Sequence, residues 1–361
     1  MPAENVRDLA ACVVDPGALA VMVATGGTTG PPKLSRRSFA GWEHLVDAGS
    51  MRGRRQLICT SFAYVAQVLA DQVLLGGGTV ILRDRFDARA ILATIEAEGI
   101  THLALVEPLL VELIDHPEFG VRDLSSLVAI SHIGADAAPA LRRRLLNRTG
   151  PILAHPYGAS EAGIVSVLAG ADYSLAHPER LGTAGPPLPG VDVRIARVDG
   201  SEAPRGEEGF VTVRSPQVAD GYDGDAPHGG FRGDGYFTGD LGFLDLDGYL
   251  HVRGRAADQR QVCGRWVMPV DVQEALCDHP EVRYAVAVAA DRGFCAVVVL
   301  APGATVDGDD LRAFVSEHHG EHLIPIQIVA VDRVPVTEQG KPNRDRIAAL
   351  MGEAREGVTQ R

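Results

Sequence analysis

Short apolar segments alternate with helical stretches between Arg55 and Ala169, and this alternation limits the folds open to the chain. Strands that are separated by helices usually form a parallel sheet, because each helix returns the chain to the same end of the sheet. The predicted strands are residues 56–59, 79–82, 103–106, 127–133 and 152–154, and the predicted helices are residues 65–75, 88–98, 107–115 and 139–148. The sequence therefore predicts an α/β fold in which helices cover both faces of a mostly parallel sheet.

A different pattern begins after Gly182, where glycine, proline and alternating apolar residues indicate antiparallel hairpins, most clearly at 191–198 and 209–213. From about Gly254 the chain predicts a second, smaller α+β unit. Its predicted helices are residues 270–278 and 309–319, and its predicted strands are residues 284–289, 296–300 and 326–331. The length of 361 residues also exceeds what one compact core usually supports. We therefore predict two domains, at residues 1–253 and 254–361.

The composition narrows the choice of partners and compartment. The net charge of −13 argues against a nucleic acid or an anionic membrane surface as a partner. The five cysteines, Cys12, Cys59, Cys263, Cys277 and Cys295, show no metal-ligand spacing and fit reduced thiols. The first residues lack the pattern of a signal peptide, and no run of about 20 uncharged apolar residues suits a membrane span. These features predict a cytoplasmic protein without a membrane span.

A loop rich in glycine and threonine gives the first chemical signal. Its sequence is Ala24-Thr25-Gly26-Gly27-Thr28-Thr29-Gly30-Pro31-Pro32-Lys33. Glycine allows backbone amides to approach an anion, and threonine hydroxyls donate hydrogen bonds to phosphate oxygens. The loop lacks the Gly-Lys-Ser/Thr spacing of a Walker A loop. A polyphosphate site is therefore one interpretation, and a surface turn is the other.

Four more motifs follow in a fixed order and strengthen the first interpretation. They are Tyr157-Gly158-Ala159-Ser160-Glu161, Tyr236-Phe237-Thr238-Gly239-Asp240, Gly254-Arg255-Ala256-Ala257-Asp258 leading to Gly264, and Gly340-Lys341-Pro342-Asn343-Arg344. Together with the loop, this series resembles the adenylate-forming, or AMP-binding, superfamily, which includes acyl-CoA synthetases and aryl-CoA ligases. The resemblance covers nearly the whole chain. It implies a shortened AMP-binding N-terminal domain and a mobile C-terminal lid domain.

The resemblance implies an ATP-dependent acid–thiol ligase. A carboxylate would attack the α-phosphorus of ATP to give an acyl-adenylate and pyrophosphate, and the acyl group would then pass to the thiol of CoA or of a carrier-protein phosphopantetheine. Both reactants of the first step are anions, so the protein mainly has to neutralise charge and align them. Lys341 would bridge the substrate carboxylate and the α-phosphate, Ser160 would donate to that phosphate, and Glu161 would hold Mg²⁺.

The same resemblance assigns the remaining site residues to the nucleotide and the acceptor. Tyr157 would stack on adenine, Asp240 would accept hydrogen bonds from the ribose hydroxyls, and Arg255 would contact the same sugar. The β- and γ-phosphates would be held by Thr25, Gly27, Thr28, Thr29, Gly30 and Lys33. The other side of adenine would be lined by Gly134, Ala135 and Asp136, and Gly158 belongs to the adenine motif. Gly264 would help to admit the pantetheine thiol. Taken alone, Ser160 could instead cap a helix after a strand-to-helix turn, and the charged residues could be ordinary surface groups.

Several positions depart from the family pattern. Gly26 stands where a serine is usual and Leu34 where a glycine is usual, while Ala257 occupies a hinge position that is commonly Asp or Lys. Gln261 and Cys263 stand where several CoA ligases have basic residues, which makes a carrier-protein thiol a credible acceptor. The phosphate loop also begins after only about two dozen residues, whereas family members usually carry a long N-terminal subdomain first. The chain is thus either a naturally short member or a truncated one.

The sequence gives partial information on partners and substrate. A missing subdomain would leave apolar sheet surface uncovered, which favours a homodimer or a partner protein. Amino-acid-activating relatives place an aspartate after a phenylalanine to pair with the substrate ammonium, whereas Phe62 is followed here by Ala63. An aryl or acyl carboxylate is therefore favoured over an α-amino acid, with Val106, Ile133 and Ala159 as candidates for the apolar pocket.

Three functions remain open at this level. The retained charged residues of the motifs favour the ligase. The short N-terminal region, Gly26 and Ala257 favour a catalytically silent homologue that binds a nucleotide or scaffolds a partner. A generic ATPase would need a base to position water, and no such base is evident; it would also release phosphate in place of pyrophosphate.

Overall fold

The computed structural model describes residues 14–25, 33–47, 51–62, 65–134, 138–173, 177–224, 230–233, 235–337 and 340–359. The helices are α1 (Phe39–Asp47), α2 (Val65–Leu75), α3 (Ala88–Glu98), α4 (Glu107–Asp115), α5 (Pro139–Thr149), α6 (Pro269–Cys277), α7 (Gly308–His318) and α8 (Arg344–Thr359). The strands are β1 (Leu19–Thr25), β2 (Lys33–Ser38), β3 (Arg55–Ile58), β4 (Thr79–Leu82), β5 (His102–Val106), β6 (Ala129–Ile133), β7 (Leu153–Ala159), β8 (Gly163–Ala169), β9 (Asp192–Ala196), β10 (Gly209–Arg214), β11 (Gly221–Tyr222), β12 (Phe231–Arg232), β13 (Gly235–Leu244), β14 (Leu250–Arg255), β15 (Arg260–Val262), β16 (Arg265–Val267), β17 (Val282–Ala290), β18 (Gly293–Leu300) and β19 (Gln327–Ala330).

The largest sheet has six strands in the order β4-β3-β5-β6-β7-β8. Neighbouring strands are parallel from β4 to β7, and β8 runs antiparallel to β7. Leu57 and Leu103 of the sheet are buried in one core cluster with Ile91 of α3 and Leu110 of α4. The prediction of an α/β fold with a mostly parallel sheet is confirmed.

Strands β6 and β7 separate before they end. Strand β6 pairs with β5 as far as Val106 and Ile133, but it pairs with β7 only at Ile130–Leu153 and Ser131–Ala154. The carboxyl ends of β6 and β7 therefore border an opening. In open α/β sheets such openings at the carboxyl ends of strands are where ligands bind.

Smaller antiparallel sheets accompany the large one. One has the order β1-β2-β11, a second has the order β12-β13-β10-β9 with β14 also paired to β13, and a third is the hairpin β15-β16. The predicted hairpin segments at 191–198 and 209–213 correspond to β9 and β10, which pair antiparallel. Strand β2 lies between β1, which enters the phosphate loop, and β11. It therefore connects the phosphate loop with the segment that carries β11.

The last sheet has the order β17-β18-β19. One of its faces packs on α6 and α7 through Leu276, Phe294 and Leu311. Residues of its other face, such as Tyr284 and Val286, belong to the same core cluster as the large parallel sheet. The predicted domain boundary between residues 253 and 254 falls within β14 and stays a prediction.

Apolar side chains remain exposed beside α1 and α2. Phe39, Leu74 and Leu75 are exposed, and they border a groove of about 570 Å³ that Trp42 also lines. The prediction of a homodimer or a partner protein at such a surface stays a prediction. In the part of the chain that the structure describes, no helix is both long enough and apolar enough to cross a membrane.

Candidate active site

Lys341 lies at the end of β6, at the border of the opening. A Cβ atom built on Gly134 would come within 3.2 Å of Cε of Lys341, so the lysine chain passes directly over this glycine. A Cβ built there would also come within 3.3 Å of Cγ1 of Val106, at the end of the neighbouring strand β5. The structure therefore brings Lys341 to Gly134 although 206 residues separate them in the sequence.

A turn holds Lys341 in this position. The amide of Gly340 donates to the carbonyl of Thr337 at 2.8 Å, and the amide of Thr337 donates to the carbonyl of Lys341 at 2.8 Å. Gly340 has a φ of 80°, which side chains rarely adopt, and a Cβ on it would come within 2.5 Å of Cγ2 of Val106. Glycine at position 340 is thus required by both its torsion and its close approach to β5.

The surroundings of Lys341 favour its interaction with anions. The residue is exposed, yet its aliphatic chain passes directly over Gly134. Desolvation lowers the pKa of its ammonium, the charge of Arg255 lowers the pKa further, and Glu161 opposes both effects. An anion bound in the opening would offset the repulsion between Lys341 and Arg255.

Asp240, Arg255 and Tyr157 form a second group. Asp240 and Arg255 are paired across β13 and β14, and Nε of Arg255 lies 3.1 Å from Oδ1 of Asp240. The hydroxyl of Tyr157 donates to Oδ2 of Asp240 at 2.6 Å. Burial raises the pKa of Tyr157 well above its ordinary value, and Asp240 raises it further, so the hydroxyl remains a donor. The predicted ribose carboxylate is therefore held in place by two side chains of the predicted site.

Ser160 and Glu161 lie in the tight turn between β7 and β8. Ala159 pairs with Gly163, so the alternative of a strand-to-helix turn with Ser160 as a helix cap is wrong; the chain forms a β-hairpin here. Gly158 is needed in this hairpin because a Cβ on it would come within 2.2 Å of the carbonyl oxygen of Gly163. The sequence did not indicate the hairpin because β8 looks like any buried apolar segment.

Tyr222 connects Glu161 with Lys33. The carboxylate of Glu161 is buried, and its Oε1 accepts a hydrogen bond from the Tyr222 hydroxyl at 2.8 Å. Nζ of Lys33 lies 5.0 Å from the centre of the Tyr222 ring, a cation–π distance. The predicted metal ligand and the lysine that ends the phosphate loop are thus joined by one aromatic side chain.

The remaining predicted residues border the phosphate loop, lie outside the described residues or stand apart from this cluster. Thr25 and Lys33 pair at the ends of β1 and β2, so the loop between them begins and ends at this point. Gly27, Thr28, Thr29, Gly30, Ala135 and Asp136 lie outside the described residues. Gly264 lies in the exposed turn between β15 and β16, and a Cβ on it would meet no described atom within 4 Å.

Sequence reasoning missed three residues that shape the site. Arg37, Gln217 and Tyr222 are buried, and each contacts the hairpin that carries Ser160 and Glu161. The only signal for Arg37 is its alternation with Ser35 and Lys33 along β2, where Ser35 and Arg37 are buried. Gln217 and Tyr222 carry no signal of their own, because their contacts form only in the folded chain.

Two buried histidines lie beneath the opening. Nδ1 of His132 and Nδ1 of His155 are 2.8 Å apart, and the rings stack with their centres 4.8 Å apart. These residues follow the last paired residues of β6 and β7, where the two strands separate. A guanidinium nitrogen of Arg142 lies 2.9 Å from Nε2 of His155. The pair therefore joins β6 and β7 through side chains where the backbone pairing stops.

Comparison with known protein families identifies two matching regions in the chain. Residues 2–223, more than half of the chain, match the AMP-binding enzyme family, and residues 271–341 match the C-terminal domain of AMP-binding enzymes. The chain belongs to the AMP-binding enzyme family. The resemblance inferred from the motifs is confirmed.

Two similar curated relatives form CoA thioesters of an acyl and an aryl acid, according to their names. The chain is 30% identical to the medium/long-chain-fatty-acid–CoA ligase FadD8 of Mycobacterium tuberculosis, over 96% of this chain and 64% of that protein. It is 31% identical to a feruloyl-CoA synthase of an Amycolatopsis species, over 92% of this chain and 70% of that protein. The chain thus spans about two thirds of the length of these relatives.

Solved structures of the family share the fold. The amide bond synthetase McbA from Marinactinospora thermotolerans is 36% identical with a TM-score of 0.82, over 93% of this chain and 70% of that one. The o-succinylbenzoate coenzyme A synthetase MenE from Bacillus subtilis, in complex with AMP, is 26% identical with a TM-score of 0.77, over 92% of this chain and 69% of that one. The same synthetase has also been solved with ATP and a magnesium ion.

Proposed function

We propose that this chain activates a carboxylic acid with ATP, forming an acyl-adenylate and releasing pyrophosphate. The observation that carries the proposal is the position of Lys341, which lies over Gly134 and within electrostatic reach of Arg255 and Glu161. A carboxylate and a triphosphate repel each other, and a cation between them removes that repulsion. Family membership supports the same chemistry.

The other residues of the cluster have matching tasks. Asp240 would accept hydrogen bonds from the ribose hydroxyls, with Arg255 holding the carboxylate in its orientation. Lys33 would contact the phosphates together with the loop that precedes it. Tyr157 would align Asp240 through its hydroxyl while its ring lies beside the adenine. The reacting groups would thus be held by charge and alignment, without a covalent enzyme intermediate.

Glu161 fits the needs of Mg²⁺. Mg²⁺ prefers oxygen ligands and is commonly held by one or two carboxylates together with substrate phosphates. The buried carboxylate of Glu161 is oriented by Tyr222 and lies on the side of Lys33. When bound, Mg²⁺ would offset the charge of the phosphates. Glu161 would supply the protein ligand, and Ser160 would donate to the α-phosphate.

Two acceptors are candidates for the second step. The names of the two curated relatives favour the thiol of CoA. Gln261 and Cys263, which stand where several CoA ligases have basic residues, favour the thiol of a carrier-protein phosphopantetheine. The similarity to McbA, an amide bond synthetase, favours an amine instead. We propose an aryl or acyl carboxylate as the acid in either case, because Phe62 is followed by Ala63 and no aspartate awaits a substrate ammonium.

Carboxylate-dependent pyrophosphate release tests the first step. Aryl, short-chain and long-chain acids are supplied one at a time with ATP and Mg²⁺, using wild type and Lys341→Ala. We expect release with one class of acid and a decrease of about 10²–10³-fold in the variant, as for the loss of other preorganised charge-stabilising groups. Adding CoA, pantetheine or simple amines then identifies the acceptor.

Arg346→Ala is the matched control. Arg346 is an exposed cation on α8, five residues from Lys341, so its removal changes the net charge equally but leaves the opening intact. We expect wild-type release from this variant. If AMP binds but no acid releases pyrophosphate, the catalytically silent homologue replaces the ligase as the better interpretation. Release of phosphate would instead indicate an ATPase.

A further inference from the structure

Arg37 is a fully buried cation outside the five motifs. Only 1% of its surface is exposed, and it lies on β2, which leaves the phosphate loop. Burying a guanidinium is costly unless its donors are satisfied. Burial lowers the pKa of Arg37 to about 10, against the opposing charges of Asp220 and Glu161, so the group stays protonated at neutral pH. Because burying this cation is costly, we expect Arg37 to have a structural or functional role.

The guanidinium of Arg37 holds two backbone carbonyls. Its Nη2 donates to the carbonyl of Ser160 at 2.6 Å, and its Nη1 donates to the carbonyl of Gln217. Both bonds are charge-assisted, and the planar guanidinium fixes the two carbonyls relative to each other. The side chain thereby ties β2 to the hairpin of Ser160 and to the segment at 217.

The segment at 217–222 also forms hydrogen bonds with the same hairpin. Oε1 of Gln217 accepts from the amide of Ile164 at 3.0 Å, and the carbonyl of Glu161 accepts from the amide of Ala219 at 2.7 Å. Tyr222 completes the set through its bond to the Glu161 carboxylate. The hairpin, this segment and β2 therefore form one hydrogen-bonded unit, and Arg37 on β2 donates to a backbone carbonyl in each of the other two parts.

We propose that Arg37 is a positioning residue that fixes the Ser160–Glu161 turn relative to strand β2, so that Glu161 and Lys33 of β2 contact the same Mg²⁺–triphosphate. The inference rests on the proposed function, because it takes Glu161 as the Mg²⁺ ligand. It predicts that Arg37 controls the use of Mg²⁺ with a triphosphate and has little influence on the binding of AMP, which needs no metal.

Thermal stabilisation by ligands tests this inference without measuring catalysis. The probes are AMP alone and α,β-methylene-ATP with increasing MgCl₂, and the readout is the shift of the thermal midpoint, which follows ligand occupancy. The variants are Arg37→Met and the conservative Arg37→Lys. Arg36→Met is the matched control, since Arg36 is the neighbouring residue on the outer face of β2. At the surface, Nε of Arg36 lies 3.8 Å from Oδ1 of Asp223.

We expect the Mg²⁺ concentration for half-maximal stabilisation to rise about tenfold in Arg37→Met and about threefold in Arg37→Lys, with the AMP shift unchanged in both. Arg36→Met should behave as wild type. An unchanged Mg²⁺ requirement in Arg37→Met overturns the inference, and Arg37→Lys decides in the same way if Arg37→Met does not fold. An equal loss of AMP and Mg²⁺-nucleotide responses shows a merely structural role and also overturns it. A wild-type protein without any Mg²⁺-dependent response removes the proposed function itself, and the inference with it.

Discussion

At the scale of single residues, the buried histidine pair makes stability depend on pH. Because Arg142 donates to Nε2 of His155, the proton of neutral His155 is on Nδ1 and is donated to Nδ1 of His132. Desolvation lowers the pKa of His132 from 6.5 to about 3, and Arg142 lowers it further. The pKa of His155 is lowered by the same two causes. Both side chains are therefore held neutral in the native protein.

His132→Gln should reduce the loss of stability in acid. Unfolded histidine takes up a proton as pH falls through 6.5, whereas native His132 does so only near 3, so the unfolded chain binds more protons between these values. Stability is therefore present above 6.5 and declines as pH falls toward 3, by up to about 1.4 kcal/mol per pH unit for each such histidine. The free energy of unfolding in urea at pH 7.5, 6 and 5 measures this slope.

The variant is expected to be less stable at pH 7.5 but to lose less stability on acidification than wild type. His44→Gln is the control, because His44 is an exposed histidine on α1. It should keep the wild-type slope. A His132→Gln protein with the full wild-type slope would show that carboxylates alone cause the acid sensitivity.

At the scale of elements, the β15–β16 hairpin has an unusual residue in its turn. Val262 pairs with Arg265, so Cys263 and Gly264 form a two-residue turn, with φ values of 49° and 76°. Positive φ at both positions is the type I′ geometry, for which Asn-Gly is the preferred sequence. Cysteine is thus a poor residue at a position where asparagine would be better.

Cys263→Asn should stabilise the hairpin by up to about 1 kcal/mol, and Cys263→Val should destabilise it by about 1–2 kcal/mol, because a β-branched side chain resists positive φ. The thermal midpoint measures both changes. Gln261→Val is the matched control, since it places the same side chain in the extended strand β15, where valine is well tolerated. Equal effects of valine at 261 and 263 would contradict the turn geometry.

The elements also show how far the sequence could predict the structure. The limits of α2, α3 and α4 agree with prediction, because local signals mark them, such as the Asp87 side chain that caps α3 and the left-handed Gly99 that ends it. The hairpin of Ser160 was not predicted, since it depends on pairing between β7 and β8. Arg37 could not be predicted at all, because its two partners lie 123 and 180 residues away in the chain.

At the scale of the whole molecule, one core joins the two sides of the predicted domain boundary. Leu110 and Leu113 of α4 belong to the same buried cluster as Tyr284 and Val286 of β17. Polar contacts follow the same interface. The amide of Ala140 donates to Glu274 at 2.8 Å, Arg144 donates to the carbonyl of Arg283 at 2.6 Å, and Arg333 lies 2.6 Å from Glu112.

This continuity predicts one cooperative unfolding transition for the chain. Segments that share a buried apolar core lose their stability together, whereas domains joined by a weak interface unfold separately. Calorimetry should show a single peak, with agreement between the calorimetric and the van't Hoff enthalpy. Glu274→Ala, which removes the acceptor of the Ala140 amide, should lower that single midpoint, while Glu317→Ala on the exposed side of α7 should not. Two resolved peaks would contradict the shared core.

The charge distribution has a consequence for how a nucleotide reaches the cleft. The chain carries a net charge of −13, yet Lys33, Arg255 and Lys341 are gathered around one opening. A polyanion is repelled by the net charge at long range and is attracted within about one Debye length, ~8 Å at physiological salt, of that opening. Added salt screens the long-range repulsion before it weakens the contacts inside the cleft. The net negative charge therefore reduces nonspecific adsorption of a polyanion to the protein. The encounters that persist are those at the opening beside Lys341.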